Sequence, residues 1–385
     1  MVAQKEMKIQ TVICELNPIH FGHLRVIERA RAESDVTAAV MSGNFVQRAE
    51  PAMFDKYTRA RAAVLSGCDL VFELPYPWSA SGVEKFAEGG IMTASAIAPD
   101  SCGGIVFGSE SGDIEYLRRM SSVKNSDDYA DTVCRIERDN RESGAAAVYD
   151  EALRRYGIDA MPGANDKLAS EYIRFGERYG IRSFTPVLRD KTLRSATELR
   201  GHDFSDEVVK AAVPDLAYRY LAGAVRSDIR RYEELLFGHA RLYLSGVSSG
   251  SEKGRNEPLS ILKSRARDAE CSADFIRNIA TKKYTAARMR RELLYSITGV
   301  SAESFENKPE SILLLAANER GLRYLSENRR RFELPVITKP ADMTGGAWRL
   351  TAIADELYAY LCCHPASCYM KRSPEIVRDP GNSDI

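Results

Sequence analysis

The chain runs to 385 residues with Lys+Arg and Asp+Glu balanced at 54 each, so net charge by itself points to no nucleic-acid, membrane or acidic partner. That length is more than one compact core accommodates, and two domains are expected. There is no stretch of about 18 apolar residues to span a bilayer, no secretory signal in residues 1–10, and no disulfide-framework spacing among the eight cysteines, which together predict a soluble cytoplasmic protein.

Residues 11–16 form the first apolar run, predicted as a strand. It hands over to Asn17-Pro18-Ile19-His20-Phe21-Gly22-His23, and a helical pattern follows over about 24–33. A glycine in that turn lets backbone approach a ligand closely. A helix start presents free N–H groups and a positive dipole end to an anion. Two imidazoles, a glycine and a helix start together read as a phosphate site. The competing reading is an ordinary turn, but the strand before it and the helix after it favour the site.

Strand-like runs at 36–41, 69–75 and 104–110 then alternate with helical patterns at 55–65 and 83–96. Such alternation predicts βαβ units and a parallel sheet, whose ligands bind beyond the carboxyl ends of the strands. The polar or glycine-containing stretches 17–23, 42–50 and 108–110 all fall at such ends, which predicts one shared site. Residues 111–156 read as charged helices, and residues 161–166 open a helix with Leu168, Tyr172 and Ile173 on one face.

A last strand is predicted at 183–188, followed by Arg194-Ser195-Ala196-Thr197-Glu198-Leu199-Arg200. Ser195 is a natural N-cap, Thr197 lies in the first turn where hydroxyl and N–H groups can hold an anion, and Arg194 and Arg200 add charge-assisted donors. Alone, such a stretch is more often a structural cap than a phosphate site. Beyond Gly201 the pattern is helical: 207–221 with a break at Pro214, then 227–244, 260–269, 273–279, 286–297 and 351–361. One short extended stretch, 334–338, interrupts it, and the polar tail from Lys371 is expected to fray. The expected architecture is therefore α/β, a Rossmann-like domain over 1–203 followed by a mainly α-helical domain over 204–385.

H-x-G-H after the first strand together with S-x-T-x-x-R after the last resembles the nucleotidylyltransferase superfamily. Within it, residues 15–23, 41–52 (Met41 through Ala52), 69–75 and 107–110 resemble the bacterial tRNA(Met) cytidine acetate ligases. The resemblance is dense over 11–112, looser through 165–172 and 195–200, and recognisable again in Lys283-Tyr284-Thr285 with Arg288, Arg290 and Arg291. The segment between the last strand and Ser195 is shorter than the family pattern. The resemblance implies ATP-dependent acetylation of N4 of the wobble cytidine in elongator tRNA(Met). Free acetate is activated as acetyl-adenylate, with ATP as substrate, AMP and pyrophosphate as products and Mg²⁺ as the accompanying ion. It implies His20, His23, Ser195, Thr197 and Arg200 as catalytic residues. Nucleotide contacts would come from Ile13, Glu15, Asn17, Pro18, His20, Gly22, His23, Gly108, Asn165, Arg189 and Asp190. Asn165 has a second reading as a helix N-cap.

The stretch 42–56 is polar for a loop after a strand. It is expected to line the acetate and cytidine side of the pocket through Ser42, Asn44, Phe45, Gln47, Arg48, Glu50, Asp55 and Lys56, a solvated loop being the alternative. Basic runs Lys263/Arg265/Arg267, Lys282/Lys283/Arg288/Arg290/Arg291 and Arg329/Arg330/Arg331, with Tyr284, Tyr295 and Tyr324 nearby, fit RNA backbone binding and stacking. Lys282, Lys283, Arg288, Arg290 and Arg291 are the expected tRNA contacts, with no DNA or membrane partner. Cys362-Cys363-His364 with Cys368 lacks the spacing of a zinc site, and no metal ligand is assigned. Two other readings stay open: a nucleotidylyltransferase that adenylylates a small metabolite, and a tRNA-binding protein that has lost catalysis.

Overall fold

The computed structural model describes residues 7–98, 103–158, 162–243 and 256–378. The first half contains β1 (Ile9–Cys14), α1 (Phe21–Ala32), β2 (Val36–Ser42), the small hairpin β3 (Phe45–Val46) and β4 (Glu50–Pro51), α2 (Lys56–Leu65), β5 (Leu70–Leu74) and α3 (Val83–Ala96). It continues with β6 (Gly103–Ser109), α4 (Ile114–Lys124), α5 (Asp127–Asp139), α6 (Ala145–Arg155), α7 (Ala164–Arg178), β7 (Ser183–Leu188) and α8 (Ala196–Leu199). The second half holds α9 (Glu207–Lys210), α10 (Asp215–Ala222), α11 (Ile229–Gly238), α12 (Asn256–Asp268), α13 (Ser272–Arg277) and α14 (Ala286–Thr298). It closes with β8 (Ile312–Asn318), α15 (Glu319–Asn328), β9 (Val336–Ile337), α16 (Gly346–Leu361) and β10 (Glu375–Val377). No helix among the described residues is long and apolar enough to cross a membrane.

Five parallel strands lie in the order β5-β2-β1-β6-β7. Strand order reverses between β1 and β6, and a sheet of this kind opens a ligand crevice at the carboxyl ends flanking that reversal. β1 and β2 are buried along their whole length, because helices cover both faces of a parallel sheet. α3 packs close enough that a Cβ on Gly90 would lie 2.7 Å from Ile13 Cγ2.

The second half is not purely helical. β8 joins the sheet beside β5, antiparallel to it, and in turn pairs with β9 and β10. This corrects the expectation of helices alone between 204 and 333. Residues 312–317, Ile-Leu-Leu-Leu-Ala-Ala, are a short apolar run of the kind a strand buried on both faces requires, and no periodicity separates it from buried helix. It also corrects the expected fraying from Lys371, since residues 375–377 are held as a strand by β8.

The stretch 42–55 is where the two halves meet. Tyr232 on α11 donates its hydroxyl hydrogen to Ala49 O, and Tyr358 on α16 donates to Ala52 O. Phe45 sits among Tyr76, Tyr232 and Tyr358 at ring-centroid distances of 5.8–6.4 Å. Beneath them, Lys56 Nζ lies 2.7 Å from Glu73 Oε2 on β5 and 2.6 Å from Asp355 Oδ2 on α16, all three buried. Asn44 completes the cluster by donating to Asp355 Oδ1 and accepting from Lys56 N–H.

Candidate active site

The turn after β1 is organised by His20. It is the N-cap of α1, and its Nδ1 accepts from Gly22 N–H at 3.0 Å. An Nδ1 that accepts places the ring proton on Nε2, so a neutral His20 presents an Nε2–H donor. Gly22 is required by this arrangement itself: a Cβ there would lie 2.7 Å from His20 Cε1. The expected free N–H groups at the helix start are largely engaged, Phe21 N–H by Ala212 O and His23 N–H by His20 O. The imidazoles, not the helix terminus, therefore supply the donors of this turn.

The two rings stand 3.9 Å apart. Burial lowers the His20 pKa to about 4, with the nearby Arg189 guanidinium adding to it, and burial and His20 push His23 well below the ordinary histidine value. Both are neutral at pH 7. His23 Nδ1 is buried and has no hydrogen-bond partner among the described residues.

Arg200 joins the two motifs. Its Nη1 donates to Asn17 O at 2.8 Å and its Nη2 to Thr197 Oγ1 at 3.2 Å, while Ser195 caps α8 by accepting from Glu198 N–H. Asn17 is buried, and its Oδ1 accepts from Met53 N–H. Arg194 pairs instead with Glu198.

Across the crevice, the last two residues of β6 are Gly108 and Ser109, and at Gly108 a Cβ would meet nothing within 4 Å. The loop after it is held by the start of α7. Asp166 accepts from Ser109 Oγ, Glu110 N–H and Ser111 N–H, and Glu110 accepts from Asn165 Nδ2 at 2.8 Å. Asn165 is thus in the first turn of α7, not at its N-cap, which is Gly163. Arg189 at the end of β7 hydrogen-bonds Ser109 O through its N–H and faces Glu110, Nη1 to Oε1 at 3.5 Å. Asp190 pairs with Arg25 at 2.7 Å and accepts from Thr192.

Several expected pocket residues lie elsewhere. Phe45, Ser42, Asn44 and Lys56 are all at most 2% exposed. Phe45 belongs to the aromatic cluster, and Asn44 and Lys56 to the buried ionic one, so none of the four forms an accessible acetate wall. Asp55 caps α2 and meets Arg372. Ile13 packs its side chain in the core. For the residues of 42–56 the reason is shared: helices of the second half cover the loop that the sequence presents as polar, whereas Ile13 on β1 is covered by α3. Gln47 and Arg48 stay on the crevice side. Gln47 N–H donates to Glu15 Oε1 at 2.7 Å, and Arg48 is exposed.

Of the expected RNA contacts, Arg291 is buried, its guanidinium donating to Ala80 O and Gln47 O at 2.7 Å each. It supports the loop and does not reach solvent. Arg290 pairs with Glu50, Lys283 with Glu257 and Arg288 with Glu292, while Lys282 and Arg288 are exposed. Arg265 is turned onto the carbonyls of Asn278 and Ala280. Tyr324 is buried against Ile97 O and offers no stacking face. Arg329, Arg330 and Arg331 are exposed at the end of α15.

Sequence reasoning missed Arg59. Fully buried, it donates to the carbonyls of Phe54, Glu15, Ser42 and Gly43, tying the ends of β1 and β2 together. Its signal was a cation among small residues on a buried helix. Asp166, a second omission, was hidden by its role as a loop clamp.

A strand-order reversal flanked by H-x-G-H, the Gly108-Ser109 end of β6 and S-x-T-x-x-R is the arrangement of a nucleotidylyltransferase fold, and the HIGH Nucleotidyl Transferase family model matches residues 7–372. The chain is 29% identical to the tRNA(Met) cytidine acetate ligase of Oceanobacillus iheyensis, covering 96% of this chain and 98% of that one. It is 30% identical to that of Lactobacillus gasseri, over 86% and 90%. The crystal structure of Thermotoga maritima TmcAL bound with alpha-thio ATP superposes with a TM-score of 0.84 at 27% identity, over 97% of this chain and all of that one. The chain belongs to the HIGH nucleotidyl transferase family, and within it to the tRNA(Met) cytidine acetate ligases.

Proposed function

We propose that this chain is a ligase that acetylates N4 of the wobble cytidine in elongator tRNA(Met), using ATP and free acetate, in the bacterial cytoplasm. The observation that carries the reading is Arg200, which bonds Asn17 O and Thr197 Oγ1 and so unites both phosphate motifs at the crevice. An acetate oxygen attacks the α-phosphorus, and pyrophosphate leaves with the electron pair of the bond to it. Charge then grows on phosphoryl oxygens, and preorganised donors lower that barrier without a covalent nucleophile. His20 Nε2–H and His23 supply neutral donors from one side, and Ser195, Thr197 and Arg200 hold the β- and γ-phosphates from the other. Gly108, Asn165 and Arg189 border the nucleotide. In the second step the cytidine amine attacks the acetyl carbon and AMP leaves.

Among the described residues no group of three or more His, Cys, Asp or Glu stands together as a metal cage. Mg²⁺ would arrive on the ATP phosphates, as this ion favours, and would neutralise part of their charge. Lys282 and Arg288 carry the exposed positive charge for the RNA backbone, with Lys283 and Arg290 beside them. Gly144, at the start of α6, packs on the carbonyls of Lys282 and Lys283 and sets α6 against this face.

The test is incubation of the purified protein with ATP, labelled acetate and total bacterial tRNA, followed by identification of the labelled nucleoside. Acetate-dependent exchange of pyrophosphate into ATP without RNA is the companion measurement. N4-acetylcytidine from elongator tRNA(Met) is the expected product. Exchange that requires a different acid or phosphate ester would overturn the assignment.

A further inference from the structure

The second step needs a group that no step above supplies. When the exocyclic amine adds to the acetyl carbon, the nitrogen must lose a proton. The carboxylates around the crevice are mostly committed. Glu50 pairs with Arg290, Glu110 holds Asn165 and the start of α7, Asp166 clamps residues 109–111, and Asp190 pairs with Arg25. Glu15 differs. Its Oε1 accepts from Gln47 N–H at 2.7 Å, and among the described residues it forms no ion pair. It follows β1 directly, two residues before Asn17 and five before His20, on the carboxyl edge where strand order reverses. Its backbone is held by Arg59, whose Nη1 donates to Glu15 O at 2.6 Å.

We propose that Glu15 receives the cytidine N4 amine and takes its proton during acetyl transfer, an inference that rests on the acetylation reading above. A carboxylate is the complement of the cytosine N4–H₂ donor. Uracil would turn its O4 acceptor towards the same carboxylate and be repelled, so one side chain both selects the base and serves the chemistry. The step balances. The N4–C bond forms and the bond from the acetyl carbon to the phosphate oxygen breaks. AMP leaves with that electron pair, and the N4 proton passes to Glu15, which returns it to solvent.

The surroundings suit a base. Burial raises the Glu15 pKa above the ordinary value, opposed by Gln47 N–H and by Arg200, Arg59 and Arg48. The other ionisable neighbours, Cys14 on β1 and Tyr172 on α7, are pushed up by burial and are neutral. A base whose pKa moves towards the working pH is the more effective.

The experiment compares wild type with Glu15→Gln, which keeps an acceptor for Gln47 N–H and removes the base. Two reactions are followed: acetate-dependent pyrophosphate exchange without RNA, and single-turnover acetyl transfer to tRNA from preformed acetyl-adenylate. Because Glu15 also stands among the expected nucleotide contacts, the variant's own exchange rate sets the baseline, and transfer should fall at least about a hundredfold beyond it, the usual contribution of a general base. The wild-type transfer rate should rise with pH through one inflection above the ordinary glutamate value of about 4.3, and the variant should lose it. A variant that loses exchange and transfer equally, or loses neither, overturns the proposal. So does a wild-type transfer rate with no inflection above the ordinary glutamate value of about 4.3, a readout that needs no variant. A wild-type protein without acetate-dependent exchange would instead sink the acetylation reading itself.

Discussion

Replacing Lys56 with methionine strikes the charge that holds the two halves together. Its ammonium bridges Glu73 on β5 and Asp355 on α16 with no solvent access. Burial pushes the Glu73 carboxyl up to about 7, and the Asp355 carboxyl up as well, against the pull of Lys56. Without the ammonium both carboxylates must become protonated to stay buried. Against its ordinary value of 4.5, holding Glu73 neutral at pH 7 costs about 3 kcal/mol, and Asp355 costs a similar amount. The variant no longer desolvates an ammonium, so the net loss is about 3–5 kcal/mol, as for other buried pairs broken on one side. The sign with pH follows from linkage. A carboxyl whose folded pKa is raised makes the folded state bind more protons than the unfolded one, so stability falls as pH rises from the unfolded towards the folded pKa. In wild type the Lys56 ammonium opposes that uptake at both carboxyls, and in the variant nothing does, so the variant binds more protons on folding and its deficit should grow as pH rises through neutrality. Urea midpoints followed by circular dichroism at pH 6 and pH 8 read this directly. A deficit below about 1 kcal/mol, or one independent of pH, would refute the argument. The triple variant Lys56→Met, Glu73→Gln, Asp355→Asn should recover most of the loss at pH 8 and show no pH dependence.

Arg291→Ala should depress acetate-dependent exchange and tRNA binding together, because its guanidinium holds Gln47 O and Ala80 O. Lys282→Ala with Arg288→Ala should instead flatten the salt dependence of tRNA binding in a filter assay and spare exchange, each lost phosphate contact lowering the slope by about one. His23→Ala should slow exchange about a hundredfold with a smaller change in ATP affinity, since a donor aimed at developing charge acts on the transition state; unchanged exchange would make His23 structural. His20 titrates at about 4 in the fold against 6.5 when exposed, so the unfolded chain binds its proton first, and stability measured by urea midpoint should fall as pH drops through that window. Phe45→Ala should cost about 3–5 kcal/mol by emptying an aromatic cluster, and a ratio of acetate to propionate activation altered without loss of stability would return Phe45 to the pocket.

The sequence by itself determined the parallel sheet, its strand–helix alternation and the two motifs that follow β1 and β7. These depend on local signals: apolar runs of strand length, turn residues and a capping serine, each readable within a dozen residues. Ser195 caps α8 and Pro214 precedes α10 as the local pattern requires. What only the tertiary structure decided is which polar residues face solvent. Lys56, Asn44 and Arg291 look like pocket or RNA contacts in a linear reading, because charge in a loop or helix is normally solvated. They are buried because α11, α14 and α16 close over residues 42–55, and each finds its partner 244 to 311 positions away: Gln47 O for Arg291, Asp355 for Lys56 and Asn44. The same long-range closure hides β8, whose apolar run acquires strand character only when Val71 and Leu70 on β5 offer it hydrogen bonds. Pairing across such distances leaves no periodicity in the chain, since the partner that completes each buried group is specified by the fold and not by its neighbours in sequence.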